Sequence, residues 1–218
     1  VTSVPDRQQR PQELTAATFV EAVGGVRGLV ESALPATVFV LVKLFTDGLW
    51  PASVAAVVVG LVLAADRVRR GESLQQVGSG FFGLLVAVVV ARTTGSGEGF
   101  FLPGILFTGL LGVVFLVSVL VGRPAIGVAL AGLDPKWAGW REHPPLRRAV
   151  QVATLFWALT FFVRAAIAGY VYSLDGDNDG ALLVTVNVVK WPLIVAAAVL
   201  TVWLVKRAGI PEDEPAER

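Results

Sequence analysis

The sequence predicts an all-α fold, a polytopic transmembrane bundle of six helices, on three observations. Six apolar runs are each long enough to cross a bilayer, no segment shows the period-2 alternation of a barrel strand, and Lys and Arg collect in alternate connecting segments. A hydrocarbon core takes about 20 helical residues to span, with about 17 to 25 tolerated. Only a helix satisfies its own backbone in lipid, so runs of this length read as spans.

The runs are Val26 to Phe45, Leu49 to Ala65, Leu74 to Ala91, Phe100 to Val121, Ala149 to Tyr172 and Ala181 to Val205. Between the first two, Asp47, Gly48, Trp50 and Pro51 form a tight turn, with Pro51 in the first turn of the next helix, where its missing N–H has no partner to lose. Arg67 to Ser73 is a short basic turn, and Thr93 to Gly99 a flexible one. In the long loop from Arg123 to Arg148, Pro124 to Leu133 is apolar but too short to span. It fits a cytoplasmic half-helix, re-entrant or interfacial, with Trp137 and Trp140 in the headgroup zone, and it fits simple packing beneath the bundle equally well.

Orientation follows from the placement of positive charge. One set of segments holds Arg7, Arg10, Arg67, Arg69, Arg70, Arg123, Lys136, Arg141, Arg147, Arg148, Lys206, Arg207 and Arg218, whereas the opposite loops hold only Arg92. Basic short loops stay cytoplasmic, so both termini are expected inside. The domain organisation is then a cytoplasmic polar tail at 1–25, a six-span membrane domain at 26–205 and a cytoplasmic polar tail at 206–218. The first tail has no apolar segment of its own, so no cleavable signal peptide is expected and the first span serves as the insertion signal.

Composition narrows the function classes. Hydrophobic residues make up 55% and charged residues 16% of the chain, and mean hydropathy is +0.70. Soluble domains carry about 25% charged residues, so no separate soluble module is expected. Cys is absent, which removes disulfides, thiolate metal sites and cysteine nucleophiles. Met is absent too, so Val1 reads as a GTG start codon, and the Ala, Val, Gly and Arg usage suggests GC-rich bacterial coding.

Catalytic and metal motifs fail one by one. In DGDNDG, residues Asp175, Asp177, Asp179 and Gly180 occupy positions 1, 3, 5 and 6 of a calcium loop, but position 12, which should be a bidentate Glu, is Val186. The run reads as a solvated acidic turn, and no second acidic cluster completes a prenyl-diphosphate site. His143 is the sole histidine and cannot supply paired zinc ligands. Gly24, Gly25 and Gly28 follow no strand, so they suit close helix packing better than a nucleotide loop. No nucleophile, base and orienting group converge, and the expectation is a non-enzymatic protein with no cofactor and no metal site.

Ionisable residues inside the spans remain, and each costs about 2.5 to 3.5 kcal/mol on insertion scales. Arg27 and Glu31 lie one helical turn apart and can pair. Lys43 can snorkel or meet Asp47 or the acidic loop. Arg164 and Lys190 both fall roughly 12 to 14 Å from the outer helix ends, counted at 1.5 Å per residue, with no acid in a span at that depth. Two readings fit. Either Asn187 and the backbone loosened by Pro192 satisfy them structurally, or Arg164, Lys190 and Asn187 form a candidate anion-binding site for a lipid phosphate or similar group.

The stretch TFVEAVGGVRGLVESALP from Thr18 to Pro35, then RRGESLQQVGSGFFG and FFLPGIL, resembles the actinobacterial membrane-protein family of domain of unknown function 3159, over roughly residues 15–207. More distantly, the order of Leu34-Pro35, Lys43, Arg123-Pro124, Trp157 with Phe161 and Phe162, and Asn187 with Lys190 resembles the intracellular septation protein A family. That resemblance implies a small multi-pass protein of the bacterial plasma membrane, tied to cell-envelope maintenance and division, with envelope or division proteins as partners. The expected partners are therefore the lipid bilayer, an anionic lipid at the candidate site and no nucleic acid. A small transporter or lipid-handling protein is the alternative to an envelope component.

Overall fold

A computed structural model describes residues 25–46, 48–133, 135–174 and 176–209. The expected tails at 1–24 and 210–218, together with Asp47, Asp134 and Asp175, lie outside the described residues. Seven helices and no strand are present among those described. They are α1 (Gly25–Thr46), α2 (Leu49–Arg69), α3 (Leu74–Thr94), α4 (Leu102–Leu120), α5 (Ala125–Leu133), α6 (Pro144–Tyr172) and α7 (Asp179–Ala208). Short 3-10 turns at Glu98–Phe100 and Pro135–Arg141 precede α4 and α6.

Helix limits follow local chemistry. Pro51, Pro103 and the Pro144-Pro145 pair all sit in first turns, where a missing N–H costs nothing. After α2 and α4 the chain turns through Gly71 at φ 81° and Gly122 at φ 74°, a left-handed conformation that glycine adopts without a Cβ clash. Helices α2, α4, α6 and α7 and the Val77–Thr94 part of α3 are each long and apolar enough to cross a membrane. Five of the six expected runs therefore form span-length apolar helices, and the first forms the 22-residue α1.

The bundle divides into two halves. In the first, α1 packs on α2 and α2 on α3; in the second, α6 lies between α4 and α7. Gly112 brings α4 against the ring of Phe162, and Trp157 Nε1 donates to Thr201 Oγ1 at 3.1 Å to tie α6 to α7. The halves share a core at the end where α1 leads to α2, α3 to α4 and α6 to α7, here the loop end. That core holds Phe39, Ala52, Ala87, Phe100, Ile105, Ala168 and Leu182.

A second core lies at the opposite, basic end and consists of second-half residues, namely Leu130, Trp137, Trp140, Leu146, Val150 and Val205. Trp137 and Trp140 are buried at 4% and 3% exposure. Both rings pack against Leu130, Leu146, Val150 and Val205, as the packed reading of this loop expects. Helix α5 is pinned by its first N–H groups, which its own ladder leaves unpaired. The Ala125 N–H donates to Ser118 Oγ at 3.0 Å and the Ile126 N–H to Thr154 Oγ1 at 3.3 Å. Gly127 admits the indole, since a Cβ there would sit 2.9 Å from Trp140 Cε2.

At the basic end of the first half, Glu31 bonds Arg67 Nε and Arg70 Nη2, each at 3.1 Å. The expected pairing of Glu31 with Arg27 involves a side chain outside the described residues. What the structure shows is an inter-helix clamp between α1 and α2, which offsets the cost of a carboxylate buried at 7% exposure.

Candidate functional site

Helix α7 carries the local irregularity from which the site is built. Pro192 has no N–H to offer the Val188 carbonyl, and Asn187 Nδ2 inserts into the ladder by donating to the Leu183 carbonyl at 3.0 Å. The helix widens into a π-turn over Thr185–Val189. Such turns recur at functional sites because they aim side chains off the regular helical register. Lys190 Nζ donates to Asn187 Oδ1 at 3.4 Å and stands 5.0 Å from the Trp191 ring centroid.

Asn187 and Lys190 line a cavity of about 810 Å³ between the two halves. Its walls come from α1, α2, α3, α4 and α7, and it runs from Phe100 and Phe101 near the loop end to Glu31 and Arg67 near the basic end. Phe82 and Phe107 line it too and are 68% and 60% exposed, so they frame its mouth between α3 and α4. Glycine makes the room. At Gly80, Gly83 and Gly104, all lining residues, an added Cβ would meet nothing within 4 Å.

The three residues of the candidate anion site are therefore distributed unequally. Asn187 and Lys190 touch and face the cavity. Arg164 is not among its lining residues, although its charge is near enough to that of Lys190 for the two to repel. The guanidinium lies 5.9 Å from the Phe161 ring centroid and makes no hydrogen bond or ion pair among the described residues.

At the loop end, Lys43 of α1 crosses to the second half. Its Nζ donates to both carboxylate oxygens of Asp177 at 3.1 Å and to Asp179 Oδ2. The acidic loop, one of the partners expected for Lys43, is thus one that it meets, whereas Asp47 lies outside the described residues. Asp179 is 1% exposed, and its Oδ1 has no hydrogen-bond partner among the described residues. Glu98 joins from the loop before α4, accepting the Asn178 N–H at 2.8 Å. Gly97 is required beside it, because a Cβ there would lie 2.6 Å from Asp179 Cγ. The hydrogen bond from Lys43 holds the Asp177 carboxyl below its ordinary range.

Carboxylate oxygens of Glu98, Asp177 and Asp179 come within 4.8 Å of one another. This is not the geometry of a calcium loop. The third carboxylate comes from 80 residues away rather than from position 12, and the Lys43 ammonium already provides the cation for two of the three. Calcium at about millimolar concentration, the range of weak sites, is accordingly expected to leave the thermal stability of the purified protein unchanged. A saturable stabilisation that disappears in Asp177→Asn would refute this.

The sequence singles out Lys43, Asp177, Asp179, Asn187 and Lys190 but not Glu98, and its reading of DGDNDG as a solvated turn fails at Asp179, which is 1% exposed because Lys43 reaches it from the other half. Glu98 was signalled only as the sole acid of its loop. The cavity is signalled by Gly80 and Gly83, which lie within about 60° of each other on α3 and leave that side without side-chain bulk.

A family model described as a protein of unknown function, DUF3159, matches residues 23–212. No curated protein and no solved structure matches the chain.

Proposed function

We propose that this chain, which belongs to the DUF3159 family, is a non-enzymatic integral membrane protein that binds an anionic amphiphile in the cavity between its two halves. The observation that carries the reading is the cation in an apolar wall. A cavity of about 810 Å³ lies within the range of ligand sites, which pair a largely apolar lining with a few polar groups that fix orientation. Lys190 and Asn187 are those groups, with the charge of Arg164 close by. A lysine at mid-helix depth is costly in lipid unless something answers its charge, and Asn187 offers only a neutral oxygen. Acyl chains match the phenylalanine-framed mouth, and an acidic headgroup matches the Lys190 ammonium.

The same proposal has α1 as the sixth span, both termini cytoplasmic and the bacterial plasma membrane as location, supported by the one-sided placement of Arg and Lys. An envelope- or division-associated setting is proposed with it, on the features shared with the septation protein A family.

Native mass spectrometry of protein extracted from membranes of mixed lipid composition tests the binding. Acidic lipid should be retained preferentially. Lys190→Gln should reduce that retention about tenfold, the worth of one charge-assisted contact. Gly83→Leu, whose Cβ would meet nothing within 4 Å, should exclude lipid of either charge. Retention that is indifferent to both substitutions would sink the proposal.

A further inference from the structure

The two halves are joined unequally at their two ends. At the loop end, Lys43 of the first half holds Asp177 and Asp179 of the second, and the Phe39 and Phe100 rings stack at 4.4 Å between centroids. At the basic end, the Glu31 clamp lies within the first half and the buried core within the second. The cavity occupies the space between, floored at the loop end by Phe100. A ligand in it meets Phe100 toward the loop end and is approached through the mouth framed by Phe82 and Phe107.

We infer that the loop-end junction is a gate, and that the protein moves its ligand by exchanging the end at which the halves meet, as an alternating-access carrier for an anionic amphiphile. The inference rests on the binding reading above and adds transport to it. Three features fit a junction that opens. The closed arrangement leaves one oxygen of a buried carboxylate unpaired, and a partly satisfied buried polar network is less stable than a complete one. Beside the shared core of Phe39, Ala52, Ala87, Phe100, Ile105, Ala168 and Leu182, the charge pairs from Lys43 are discrete contacts that separate as units. Finally, the same helix carries both devices, because Asp179 begins α7 and Lys190 follows the π-turn in it. Movement of α7 at the gate therefore shifts the cation in the cavity wall.

Paired spin labels on the full-length protein in nanodiscs test this. One pair, Thr46 and Ser173, spans the halves at the loop end; the other, Ser73 and Arg147, spans them at the basic end. All four residues are exposed. Asp177→Asn, which removes only the solvent-facing arm of the bridge, should lengthen the loop-end distance by roughly 5 Å or more in part of the population and shorten the basic-end distance in the same fraction. Lys43→Gln should do so in a larger fraction. The gate is overturned if both distances stay fixed in both variants, or if both lengthen together as in general loosening. Repeating the measurement in phosphatidylglycerol and in phosphatidylcholine separates the two proposals. If the ends exchange equally in both lipids, the gate stands and the acidic-ligand reading falls. If acidic lipid is still retained in mass spectrometry by a bundle whose ends never exchange, the binding reading stands and the gate falls.

Discussion

Replacing Lys43 with Met is expected to destabilise the detergent-solubilised protein by about 3 to 5 kcal/mol, because it removes one partner of a buried ion pair and leaves the other uncompensated. Asp179, at 1% exposure, cannot turn to solvent, and one of its oxygens already lacks a partner. The double variant Lys43→Met with Asp179→Leu should recover most of the loss, since a hydrophobic pair of similar volume avoids the desolvation that the ion pair pays. Thermal unfolding of the wild type, both single variants and the double variant measures the coupling directly. A double variant no better than Lys43→Met would show that the loss does not come from an uncompensated Asp179 carboxylate.

The Asp177 arm adds a pH signature. Its carboxyl is held below the ordinary carboxylate range by the Lys43 hydrogen bond. A depressed folded value means that the contribution is complete above the ordinary value, about 3.9, and is lost as pH falls through the lowered one. The difference between wild type and Asp177→Asn should therefore persist at neutral pH and close only in acid. A difference that vanished already near pH 6 would point to another group.

The second large effect is expected at the basic end. Trp140→Ala should cost about 3 to 5 kcal/mol, as for a large aromatic removed from a packed interior. The indole is 3% exposed, fills the notch left by Gly127 and carries the Arg141 guanidinium 5.0 Å from its ring centroid. Trp203, 51% exposed on α7, is the control, and its replacement by Ala should stay within roughly 1 kcal/mol. Equal losses at both positions would mean that Trp140 is an interfacial anchor after all.

These two sites show what a single sequence discloses about this fold. Span-length apolar runs leave lipid no alternative to a helix, so α2 to α4, α6 and α7 were legible to within a few residues. Trp137 and Trp140 were ambiguous because an amphipathic ring suits a headgroup layer and a protein interior alike, and only the neighbouring helices decide. Lys43 announced a need for a carboxylate, yet the choice between Asp47 and the acidic loop depends on which loops share an end. Glu31 illustrates the same limit. Its helical neighbour Arg27 was visible at one-turn spacing, whereas Arg67 and Arg70 become partners only once α2 folds back. The cavity was the least legible feature, because it consists of side chains that glycine lacks.

The π-turn in α7 sets a phase relation along that helix. A π-turn holds one residue more than an ordinary turn, so everything beyond Val189 is rotated by roughly 100° from where uninterrupted α-winding would put it. Asp179 on one side of this splice is fixed to Lys43, and Lys190 on the other is fixed to the cavity wall. Both alignments hold only at the present chain length. Loss of a single residue between them would restore regular winding and carry either the carboxylate off its lysine or the ammonium off its cavity, whatever the identity of the residue removed.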